Sequence, residues 1–105
     1  MAGAGASSEG LKRIHFEVFG LVQGVFFRKY TQSQAREYNL VGWVRNNRSG
    51  TVEGEVEGTA LQIDAFKNWL RHEGSPQSRI DKCVFAVEEP IDKLTFKSFN
   101  IARTK

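Results

Sequence analysis

The chain has 105 residues, 40% of them hydrophobic and 26% charged, enough for one small globular domain and too balanced for a disordered chain. A formal charge of +3 mildly favours anionic partners, but Lys and Arg are scattered, which argues against a dedicated nucleic-acid surface. The single cysteine, Cys83, excludes an internal disulfide and a cysteine metal cluster and fits a cytoplasmic location, and no apolar run reaches the length of a bilayer.

Met1 to Gly10 is small and polar, without the apolar core of a secretory signal; it reads as a disordered leader, with one domain over 11–105. From about Lys12 to Phe19, Ile14, Phe16 and Val18 alternate with His15, Glu17 and Phe19, the period of a strand. A short turn follows, with Gly20 at its start and Gly24 inside it. Phe27, Tyr30, Thr31, Gln34, Ala35 and Tyr38 then recur at helical spacing, which predicts a helix to about Asn39. Val41 to Asn46 is β-branched and aromatic and reads as a second strand. Asn47-Arg48-Ser49-Gly50 is a turn by composition, and the alternation from Thr51 to Glu57 makes a third strand, closing a hairpin. Glu53, Glu55 and Glu57 give this strand an acidic face, expected to be solvated rather than metal-binding.

Thr59 with Gln62 fits a capping box for a second helix. Its expected core stripe is Leu61, Ala65, Phe66, Trp69 and Leu70, with Ile63 at the margin; Gly74 and Pro76 end it. A fourth strand runs from about Ile80 to Val87, and after a turn at Pro90 an extended piece covers about Thr95 to Ile101. The order βαββαβ plus a short extra strand predicts an α+β, ferredoxin-like sandwich: an antiparallel sheet with two helices on one face.

The chemistry is narrowed by what is missing. There is no nucleotide P-loop, no G-x-S-x-G elbow, no paired-cysteine loop and no aromatic RNA-binding signature. His15 and His72 lie far apart and have no partners for a nucleophile pair or metal triad; both read as structural. What remains is Gly20-Leu21-Val22-Gln23-Gly24-Val25-Phe26-Phe27-Arg28. Glycine turns let N–H groups converge, a helix N-terminus adds free donors and a positive dipole end, and Arg28 brings a charged fork. The residues alone leave two readings open, an anion pocket or a glycine turn with a solvated arginine. Asn46 stands likewise, as a neutral donor and acceptor beside an anion clamp or as a plain turn asparagine.

That nine-residue stretch resembles the first signature of the acylphosphatase family, G-x-V-Q-G-V-x-[FY]-R, and Gly42-Trp43-Val44-Arg45-Asn46, continuing through Gly50, Val52 and Gly58, resembles the second. The resemblance spans about Arg13 to Ile101; the tail Arg103-Thr104-Lys105 departs from it, lacking the terminal aromatic of vertebrate members. It implies hydrolysis of acyl phosphates to a carboxylate and inorganic phosphate, without metal or other cofactor. The loop Gly20, Leu21, Val22, Gln23, Gly24, Val25, Phe26 is then the phosphate cradle, Arg28 the phosphate-binding guanidinium, Asn46 the residue that orients the attacking water, and Thr51 a support for Asn46. At family level the partners are small acyl phosphates and aspartyl-phosphate intermediates of ion pumps, and the chain is expected to be a cytoplasmic monomer that neither binds nucleic acid nor inserts in a membrane. The alternative is a non-catalytic phosphate-binding regulatory module on the same fold.

Overall fold

A computed structural model describes residues 10–104; the proposed leader, apart from Gly10, lies outside the described residues, as does Lys105. The elements are β1 (Leu11–Leu21), α1 (Phe27–Glu37), β2 (Val41–Asn46), β3 (Val52–Thr59), α2 (Ala60–His72), β4 (Arg79–Pro90) and β5 (Phe99–Ile101). One five-stranded sheet has the order β4-β1-β3-β2-β5. The first four strands pair antiparallel, as the βαββαβ order requires, but β5 lies parallel to β2, so the sheet is mixed rather than wholly antiparallel.

Even-numbered residues of β1 and β3 face the helices. Ile14, Phe16, Val18, Val52 and Val56 are fully buried there, with Phe66, Leu70 and Ile63 of α2 and Phe27 and Ala35 of α1 packed over them. Phe66 meets Phe16 edge-on at 5.5 Å between ring centres. The capping box of α2 forms as expected, with Thr59 Oγ1 accepting from the Gln62 N–H and the Gln62 side chain accepting from the Thr59 N–H. Its stripe differs in one respect: Ile63 is fully buried and Leu61 is 71% exposed. Two residues of helix separate them by about 200°, so a stripe centred on Ile63, Phe66 and Leu70 places Leu61 on the far side.

The acidic face of β3 is not solvated. β3 is the central strand, and a segment running from β4 at one edge to β5 at the other crosses its helix-free side. Glu57, with no exposed surface, accepts hydrogen bonds there from the Thr95 N–H (2.7 Å), Thr95 Oγ1 (2.5 Å), the Phe96 N–H (3.2 Å) and Arg13 Nε (2.8 Å). Burial pushes this carboxyl up, but the donors outweigh it and hold it below the usual carboxylate range. Glu53, also buried, pairs with Arg45 at 2.8 Å. The same crossing shortens the last strand to Phe99–Ile101, because Thr95 and Phe96 bind Glu57 instead of a neighbouring strand. β4 outruns its expected end at Val87: that residue takes φ 51° where the register with β1 shifts, and pairing resumes to Pro90 on the open edge.

Candidate active site

The arch at the head of α1 hangs between two core anchors. Val22 and Phe27 are each 1% exposed, so hydrophobic burial fastens both ends and leaves Gln23 to Phe26 to span the gap. Gly24 sits at φ +76°, a conformation glycine adopts freely, with open space where a side chain would be. Gly20 and Leu21, expected in the turn, belong to β1, paired with Ile80 and Arg79. Gly20 is needed for a close approach: a Cβ there would lie 2.1 Å from the Arg79 carbonyl oxygen, at the register shift after Phe19. The arch that connects β1 to α1 therefore runs from Val22 to Phe26.

Phe26 is the N-cap of α1, left-handed at φ 60°, and no side chain caps the helix. The first intrahelical-type bond runs from the Tyr30 N–H to the Phe26 carbonyl at 3.1 Å. Among the described residues, the N–H groups from Gln23 to Lys29 meet no protein acceptor. A helix start ordinarily satisfies such donors with a cap; one that does not offers them, with the positive end of its dipole, to an anion. Arg28 lies in this first turn, half-buried, and no carboxylate among the described residues pairs with it.

The end of β2 reaches the same end of the sheet: Asn46 pairs with Val52, and Val52 with Val18, three residues before Leu21. Asn46 shares the helix-facing side of β2 with Val44, while Arg45 turns to the opposite side and binds Glu53. The Asn46 Oδ1 is buried and has no hydrogen-bond partner. An acceptor in that state has lost water without replacement, and a ligand or an ordered water would relieve it.

Two connections were not visible as side-chain roles in the sequence. Gln23 Nε2 donates to the carbonyl oxygens of Asn47 (2.7 Å) and Thr51 (2.8 Å), tying the arch to the β2–β3 hairpin immediately after Asn46. Thr51 does not bond to Asn46: its hydroxyl donates to Glu17 at 2.6 Å and lies 3.3 Å from the Ser49 hydroxyl, so it braces the hairpin against β1. The one available signal was Gln23 itself, a long amide between Val22 and Gly24 in an otherwise apolar arch.

The Acylphosphatase family model matches residues 14–101, which takes in the arch, Arg28 and Asn46. The chain belongs to the acylphosphatase family. It is 51% identical to Acylphosphatase-1 of Gallus gallus over 98 residues, covering 93% of this chain and 99% of that one. It is 50% identical to Acylphosphatase-2 of Mus musculus, covering 91% of each. The acylphosphatase from Bacillus subtilis superposes with a TM-score of 0.80 at 31% identity, over 87% of this chain and 98% of the other. Membership makes the chain a hydrolase and accounts for a ferredoxin-like sandwich with an added strand. Among the described residues, no group of three or more His, Cys, Asp or Glu side chains is placed to hold a metal ion, and no helix is long and apolar enough to cross a membrane.

Proposed function

We propose that this acylphosphatase cleaves the carboxyl–phosphate bond with the arch N–H groups and Arg28 holding the phosphoryl group and Asn46 holding the water. The observation that carries this reading is the uncapped junction of arch and helix, with its row of unpartnered N–H donors. Those donors are fixed by Val22 and Phe27, so they are in place before substrate arrives and need not reorganise during the reaction. Arg28 adds a planar fork that matches two phosphoryl oxygens.

The orphan Oδ1 of Asn46 accepts a hydrogen from water and turns its lone pair toward phosphorus. A P–O bond forms to this water as the bridging P–O bond breaks, its electron pair leaving on the carboxylate oxygen. The conjugate acid of that carboxylate has a pKa of about 4, so no general acid is required. The water's proton passes to a phosphoryl oxygen of the substrate. Charge stabilisation and positioning thus suffice, and no metal enters the scheme. Every group comes from one chain, which supports a monomer. The lone thiol supports a cytoplasmic site of action, with small acyl phosphates, and at family level the aspartyl phosphates of ion pumps, as substrates.

Hydrolysis of benzoyl phosphate in ¹⁸O-water tests the reading. The label is expected in inorganic phosphate and not in benzoate, with alkyl phosphate esters turned over very poorly. Label in benzoate would place attack at carbon; phosphate binding without turnover would reduce the chain to a regulatory module.

A further inference from the structure

Glu17 occupies a position that the sheet alone disfavours for a charge. It stands in β1 directly opposite Glu53 of β3, and like charges directly opposite one another destabilise a sheet. Glu53 is relieved by Arg45 at 2.8 Å and faces His15 at 3.7 Å. Among the described residues, no cation lies within ion-pair distance of Glu17. Its hydrogen-bond partner among them is the Thr51 hydroxyl, which donates at 2.6 Å, a length expected when the acceptor is a carboxylate. Thr51 in turn is the junction of the β2–β3 hairpin. With its own proton given to Glu17, its hydroxyl takes the hydrogen of the Ser49 hydroxyl, 3.3 Å away. A carboxylate only accepts, so Glu17 fixes the direction of both bonds. The Thr51 carbonyl receives the Asn47 N–H (2.8 Å) and Gln23 Nε2 (2.8 Å). One residue therefore joins the Glu17 carboxylate, the peptide that follows Asn46 and the amide that ties down the arch.

We propose that Glu17 is a positioning residue for the hydrolysis: acting through Thr51 from the helix-free side of the sheet, it holds the hairpin so that Asn46 presents its amide to the water. This rests on the reading of Asn46 as the residue that holds the water. Glu17 touches neither substrate nor water. Its charge orders the Ser49 and Thr51 hydroxyls head to tail, and a neutral amide at this position, which donates as well as accepts, leaves their direction open. The repulsion from Glu53 is retained because the hairpin needs an acceptor that cannot reverse.

The test reads kcat on benzoyl phosphate, affinity for inorganic phosphate and melting temperature in the same variants. Glu17→Ala should lower kcat by about three- to tenfold, the worth of one hydrogen bond, and change phosphate affinity by less than about twofold. Glu17→Gln keeps an acceptor and removes the repulsion of Glu53, so it should melt no lower than the native chain while its kcat falls between native and Glu17→Ala. In a Gln23→Ala background Glu17→Ala should cost less than about a further twofold, because both act through the hairpin. Native kcat in Glu17→Ala, with Asn46→Ala still impaired, would overturn the role of Glu17 and leave the reading of Asn46 intact. Equal losses of kcat and phosphate affinity in Glu17→Ala would also overturn it, since the carboxylate would then support the fold as a whole. Native kcat in Asn46→Ala would overturn instead the reading on which the proposal rests.

Discussion

Gln23→Ala keeps the arch N–H at that position and removes only the amide that ties arch to hairpin. Two hydrogen bonds are lost, of 2.7 and 2.8 Å. Neither acceptor is orphaned, since the Asn47 carbonyl still receives the Gly50 N–H (3.0 Å) and the Thr51 carbonyl the Asn47 N–H (2.8 Å). The loss is then about 1–2 kcal/mol, near the lower end for two ordinary hydrogen bonds, or a melting shift of roughly 4–16 °C in a domain of this size. The kinetic effect is expected to be larger. The bonded carbonyl of Asn47 follows Asn46 directly, and a drift of about 1 Å in a positioned group can lower a rate on the order of a hundredfold. Initial rates on benzoyl phosphate should show kcat reduced by tens to a hundredfold, with phosphate affinity by calorimetry changed by less than about threefold. In an Asn46→Ala background the same change should add little, because both act through one water. A kcat within twofold of native, or additive losses in the double variant, would refute the tie between Gln23 and Asn46.

Glu57→Gln should destabilise the fold by about 2–3 kcal/mol, less than the usual toll for breaking a buried pair because Arg13 keeps Glu89 and solvent. Since the folded carboxyl lies below its unfolded value, its contribution is present above about pH 4–5 and lost as pH falls through the folded pKa; acid denaturation followed by circular dichroism should be steeper in the native chain than in Glu57→Gln. Burial pushes the Cys83 thiol up to about 11, with Arg71 offsetting it in part, so a thiol reagent should label Cys83 slowly at pH 8 in the folded state and quickly in denaturant. Cys83→Ser should leave turnover nearly intact. Excess chelator should not reduce benzoyl phosphate hydrolysis; a loss restored by a divalent ion would contradict the scheme.

The alternation in β1 and β3, the helical spacing of α1 and the capping box of α2 made most of the fold legible, since these signals are local. Burial of Glu57 was not legible, because it depends on Thr95 and Phe96, about forty residues away, crossing the helix-free side of β3. The parallel pairing of β5 has the same origin. At the site, the arch, Arg28 and Asn46 stood out as polar or glycine positions where the hydrophobic pattern breaks. The separation of Arg45 from Asn46 onto opposite sides follows from strand alternation. The side-chain reach of Gln23 to the hairpin, and the bond of Thr51 to Glu17 rather than to Asn46, required the folded register.

The central claim divides binding from attack: Arg28 holds phosphate in ground and transition states, and Asn46 acts on the water alone. Calorimetric titration of inorganic phosphate alongside initial rates on benzoyl phosphate, for Arg28→Ala and Asn46→Ala, tests it most directly. Arg28→Ala should weaken phosphate binding and cut turnover together, with Arg28→Lys rescuing little because an ammonium lacks the planar fork. Asn46→Ala should leave phosphate affinity almost unchanged while kcat falls on the order of a hundredfold or more. Loss of phosphate affinity in Asn46→Ala as severe as in Arg28→Ala would make Asn46 part of the cradle and contradict its assignment to the water.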